Sequence, residues 1–149
     1  MIRTLASVML ALSPLVALPA AAQSSGSLTV VCAASQREGF VTTCDGHADV
    51  TLSVADRPGS MWSIRLTAPA SHCSPVTYMV VRPPFATGAD VVGMTRVLRA
   101  GETDYVALGD SFGPGRYPFR IVAGGYVEGC NIGQMHSWGV DYAFVLIPR

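Results

Sequence analysis

The chain has 149 residues, with ten basic and ten acidic side chains that balance to zero, and every basic residue is an arginine. Charged residues make up 13% of it, about half the roughly 25% of an ordinary soluble domain. A neutral chain without lysine clusters has neither the polybasic face that nucleic acid requires nor an acidic tail, so nucleic acid is not an expected partner.

Residues 1–22 read as a secretory signal peptide. Arg3 supplies a short positive region, Leu5 to Leu18 an apolar one, and Ala20-Ala21-Ala22 a small-residue cleavage site before Gln23. The apolar run of about 14 residues is short of the roughly 20 that span a bilayer, and Pro14 and Pro19 interrupt it. No cysteine follows the cleavage site and no twin arginine precedes it, which points to the general secretory route. The expectation is a periplasmic or secreted protein cleaved after Ala22. Residues 23–149 then form a single domain with no further membrane span, and the leader's 16 apolar residues raise the apolar content of the whole chain to 50%.

The elements that follow read as strands in chain order. Weak alternation covers residues 27–34 and 40–44, with Ser35-Gln36-Arg37-Glu38-Gly39 as a turn between them. Val50, Leu52 and Val54 alternate with polar residues, as do Trp62, Ile64 and Leu66 after the Ala55–Gly59 turn. Weaker strands fit 76–82, 91–98 and 104–108. Tyr117, Phe119 and Ile121 alternate after the break Phe112-Gly113-Pro114-Gly115, and Gly124-Gly125 reads as the next break. Trp138, Val140, Tyr142, Phe144 and Leu146 form the longest stripe. Period two throughout, with no helical pattern, predicts an all-β fold. About nine short strands make a two-sheet antiparallel sandwich, immunoglobulin-like or jelly-roll. Cys44, Trp62 and Cys130 occur in the immunoglobulin order, and Tyr117 after Gly115 looks like the entry to a late strand. That tyrosine does not lie two residues before a cysteine, so the immunoglobulin pattern is incomplete.

The four cysteines, Cys32, Cys44, Cys73 and Cys130, are an even number in a small exported domain and predict two disulfides. Three pairings are open. Cys32 and Cys44 lie symmetrically about position 38, so a hairpin there would bring them together and leave Cys73 for Cys130.

Gly109-Asp110-Ser111-Phe112-Gly113 has the G-x-S-x-G form of a hydrolase nucleophile, with Glu128 and His136 following in the order of a triad. The strand-to-helix context that such a serine needs is missing, and the segment reads as a turn. His72, Met135 and His136 would supply soft ligands suited to copper if Cys73 pairs with Cys130, but a disulfide-bonded Cys130 offers no thiolate. No cofactor or metal is therefore expected. Asp45, Asp49, Glu102 and Asp104 lack the dense oxygen spacing of a calcium loop. The glycine-rich segment 124–137, pinned by Cys130, suits a binding surface on a rigid scaffold. Tyr126, Asn131, His136 and the neighbouring His72 are its candidate ligand-facing residues. The functional expectation is a non-enzymatic binding module for a protein or small ligand, with a Ser111 hydrolase or a metal-handling protein as alternatives.

Overall fold

The computed structural model describes residues 25–55, 60–85 and 88–147. The segment read as a signal peptide lies outside the described residues, as do positions 56–59 of the Ala55–Gly59 turn.

Ten strands are described: β1 (Ser25–Val31), β2 (Ser35–Glu38), β3 (Val41–Cys44), β4 (Ala48–Val54), β5 (Met61–Thr67), β6 (Val76–Val81), β7 (Val91–Met94), β8 (Thr103–Gly109), β9 (Gly115–Tyr126) and β10 (Ser137–Ile147). They form a four-stranded sheet in the order β1-β10-β5-β8 and a six-stranded sheet in the order β2-β3-β9-β6-β7, with β4 also paired to β9. All pairings are antiparallel. No described residue is helical, and no helix is long and apolar enough to cross a membrane.

The pairings nest. β6 pairs with β7, β5 with β8, β4 with β9 and β1 with β10, so the chain is one long hairpin of paired ribbons rolled into two facing sheets. That is a jelly roll, and it excludes the immunoglobulin alternative, whose sheets group the strands differently. The immunoglobulin-like tyrosine has a local explanation. β8 and β9 lie in different sheets, and the Tyr117 hydroxyl donates to the Gly113 carbonyl at 3.0 Å, which locks the arch between them.

The alternating apolar residues meet between the sheets. Ile64, Leu66, Trp138, Val140 and Phe144 from one face Leu52, Tyr78, Val80, Phe119 and Ile121 from the other, and all are buried. Each such side chain contributes about 1.5–3 kcal/mol relative to exposure.

Two segments depart from the sequence reading. Ser35–Glu38, expected to be a turn, is β2, and the turn is the pair Gly39-Phe40 between Glu38 and Val41. The centre of the hairpin moves accordingly, so Ser35 rather than Cys32 lies opposite Cys44. The Cys32–Cys44 disulfide is therefore not a rung of that hairpin: it ties the end of β1 in one sheet to the end of β3 in the other, with Cα atoms 5.4 Å apart. Gly124-Gly125, expected to be a break, lies inside β9. A Cβ on Gly125 would come within 2.5 Å of Met135 Cε and 3.0 Å of Asn131 Nδ2, so this glycine makes room for the segment folded over it rather than for a turn.

Cys73 and Cys130 form the second bridge. Both bridges restrain the unfolded chain, and the second spans 57 residues against 12 for the first. Loop-closure entropy then makes replacement of Cys73 and Cys130 by serine more costly by about 1 kcal/mol than replacement of Cys32 and Cys44. Urea unfolding of the two double variants checks this order, and equal losses would contradict it.

Candidate functional site

The jelly roll has two ends. The segments 32–34, 68–75, 95–102 and 127–136 gather at one, and the ends of β4, β6 and β8 lie with the starts of β5, β7 and β9 at the other. Both disulfides lie at the first end. Segments 68–75 and 127–136 each cross between the sheets there, and Cys73–Cys130 joins them with Cα atoms 5.6 Å apart. Next to the bridge, Gly129 has φ +63°, and a Cβ on it would lie 2.1 Å from the Cys73 carbonyl oxygen. Only glycine accommodates that approach.

Segment 127–136 seals the core as well as crossing it. Met135 and Asn131 are buried, 8% and 6% exposed, against the inner face of β9. Asn131 Oδ1 accepts from the Gly133 N–H at 3.0 Å and the Thr42 hydroxyl at 3.4 Å.

The backbone of Gly139 explains His72. The β10–β5 ladder ends at Asp141 and Thr67, and two residues further Pro69 packs over Gly139 and has no N–H to offer. Side chains take over from β5. The Gly139 N–H donates to His72 Nε2 at 3.4 Å, and the Tyr78 hydroxyl donates across the core to the Gly139 carbonyl at 2.5 Å. His72 Nδ1 in turn donates to the Ser74 carbonyl at 3.2 Å. An N–H only donates and a carbonyl only accepts, so in this arrangement Nδ1 is the donor and Nε2 the acceptor.

Over this framework lies a cavity of about 450 Å³, walled by segments 69–74 and 130–137 and floored by the facing residues of β1 and β10. Its lining is more apolar than polar, with hydroxyl, amide and imidazole groups set among the apolar surface and Asp141 as the one carboxylate among the described residues that line it. Ser27 donates to the Asp141 carboxylate within it. Thr29, Ser71, Gln134, His136 and Ser137 line it with side chains that make no hydrogen bond to other described residues, and all five are exposed.

The cavity brings together His72, Asn131, Met135 and His136. It does not include Tyr126. That residue pairs with Val41 on the outer face of β9, in phase with Arg120 and opposite to the inward Phe119, Ile121 and Ala123. Asn131 faces the core more than the opening. The copper set does not assemble, because both His72 nitrogens are engaged and Met135 is packed against Gly125. Among the described residues no group of three or more His, Cys, Asp or Glu side chains is placed to hold a metal. The triad does not assemble either. Ser111 is exposed at the other end, hydrogen-bonded to Asp110 at 3.3 Å, and the length of β9 separates it from His136 and from Glu128, which pairs with Arg99 at 2.9 Å. Gln134 and Ser137 lie in the segment 124–137 that the sequence singled out, but Ser27, Thr29, Ser71 and Asp141 were missed, since the β1–β10 register that gathers several of them is not visible in the chain.

No family model matches the chain, and no curated protein matches it in sequence. Among solved structures it is similar to one described as "CBM4 structure and function", with TM-score 0.41 and 15% identity over 83% of this chain and 84% of that one. It is also similar to the enzymatically active domain of bacteriophage CBA120 tailspike protein 4, with TM-score 0.32 and 16% identity over 83% of this chain and 18% of that one. A third comes from work on the promiscuous specificity of carbohydrate-binding modules of the beta-sandwich superfamily, with TM-score 0.31 and 11% identity over 83% of this chain and 54% of that one. These are likenesses of fold alone.

Tyr78 offers a test of the Gly139 framework. Burial, and then the Asp141 charge, raise its pKa well above the ordinary tyrosine value. Above pH 10 the unfolded chain releases this proton while the folded chain keeps it, so Tyr78 makes unfolding free energy fall as pH rises. Tyr78→Phe is expected to cost about 1–2 kcal/mol at neutral pH by stranding the Gly139 carbonyl, and to flatten the alkaline decline. Denaturant unfolding across the alkaline range measures both.

Proposed function

We propose that residues 23–149 are an exported, non-enzymatic binding module that takes a neutral, hydroxyl-rich ligand in the cavity at the disulfide-bonded end. The observation that carries this reading is the cavity itself: uncommitted hydroxyl, amide and imidazole groups stand on two loops cross-linked by Cys73–Cys130. Cross-linking lowers the ordering cost of binding. Walls that set several uncommitted polar groups among apolar surface suit an uncharged ligand that offers both hydrogen-bonding groups and carbon faces. The buried Asn131 Nδ2 and Trp138 Nε1, both on residues that line the cavity, have no acceptor among the described residues.

Export is supported by the leader with its Ala20-Ala21-Ala22 site and by two disulfides, which persist in oxidising compartments. A non-catalytic role is supported by the separation of Ser111 from His136 and Glu128.

Calorimetric titration of the oxidised full chain with a panel of neutral oligosaccharides tests the reading. At least one is expected to bind saturably. Replacing Gln134 and His136 together by alanine is expected to weaken it about tenfold or more, with the unfolding midpoint unchanged because both side chains are exposed. A silent panel, or a double variant that binds as tightly as the parent, would contradict it.

A further inference from the structure

The opposite end of the sandwich holds a second cavity, of about 650 Å³, between the two sheets. Its volume lies within the roughly 300–1,000 Å³ of small-molecule pockets. Leu108 of β8 walls one side, Val91 and Val92 of β7 and Tyr117 and Phe119 of β9 wall the other, and Phe112 comes in from the β8–β9 arch. The three rings form one apolar surface, with Phe112 edge-on to Tyr117 at 4.7 Å and to Phe119 at 6.3 Å. The Tyr117 hydroxyl is committed to Gly113, so the ring offers its carbon face to the cavity.

The polar character of this mouth is confined to its rim. Arg82 is the one charged residue lining it among those described, and its guanidinium is exposed with no acceptor among them. Arg120, on β9 of the same sheet, is different: Asp49 holds it at 2.9 and 3.3 Å, and it lies over the Phe85 ring at 4.3 Å. Among the described residues the mouth therefore presents an apolar interior with Arg82 as the one charged residue on its lining.

We propose that this cavity binds a medium-chain carboxylate, with the alkyl body between the sheets and the carboxylate on Arg82. The apolar lining recognises the chain, since each buried methylene strengthens binding severalfold. The unpaired guanidinium recognises the head through charge-assisted hydrogen bonds. This site is independent of the cavity at the disulfide-bonded end, and neither reading rests on the other.

Calorimetry of the oxidised full chain with octanoate, butanoate and 1-octanol tests it. Octanoate is expected to bind one per chain, butanoate without measurable saturation, and 1-octanol about tenfold more weakly than octanoate. Arg82→Ala is expected to lower octanoate affinity to that of octanol. Arg82 is exposed, so this variant should fold whether or not the cavity-filling Val92→Trp does; a folded V92W is expected to bind neither ligand. Absence of saturable octanoate binding, butanoate binding as tightly as octanoate, unchanged octanoate affinity in R82A, or retained binding in a folded V92W would each overturn the proposal.

Discussion

The architecture depends most on how its crossing loops are held at one end. A jelly roll pairs strands from the two ends of the sequence, β1 with β10 and β4 with β9, so its loops must pass from one sheet to the other. Such long-range pairing costs loop-closure entropy before any contact returns it. Here Cys73–Cys130 joins two of these crossings directly, and Cys32–Cys44 joins the ends of strands from opposite sheets. The other end, among the described residues, has packed aromatic rings and no disulfide.

Closing the first end requires polar compensation. Where Pro69 takes over from β5 beside Gly139, the backbone of β10 would be left without partners. His72 and Tyr78 supply them from opposite directions, one from the cross-linked loop and one from the core of the facing sheet. His72 was a candidate ligand because of its sequence position beside Cys73. In the structure it is a strut, and the polar side chains left uncommitted are the exposed ones around it. Core packing, the bridge and the cavity beside it are thus built from one set of residues, with Asn131 and Met135 sealing from inside what Gln134 and His136 present outside.

The fold was largely legible because half-buried strands carry their own period. The stripes through Val50–Val54, Trp62–Leu66 and Trp138–Leu146 each became a strand with its apolar face in the core. β2 was not legible, since Ser35–Glu38 is an edge strand with no buried residue and therefore no alternation. Gly124-Gly125 misled for a different reason: glycine marks a close approach as readily as a turn. That error also misplaced Tyr126. Continuing the inward parity of Phe119 and Ile121 through the glycines puts residue 126 on the outer face. The cavity at the disulfide-bonded end was legible only where it borders a cysteine. Thr29 and Ser137 enter it through the pairing of β1 with β10, a register that no local pattern encodes.

The claim that Cys73–Cys130 holds segments 68–75 and 127–136 as one rigid unit is tested most directly by amide hydrogen exchange before and after reduction of that bridge. The Val127, Asn131 and Gly139 amides donate to Phe40, Glu128 and His72. They are expected to be protected in the oxidised protein and to lose that protection on reduction, while the Ile121 region of β9, paired on both edges, keeps its own. Loop amides that exchange equally fast in both states would contradict the account.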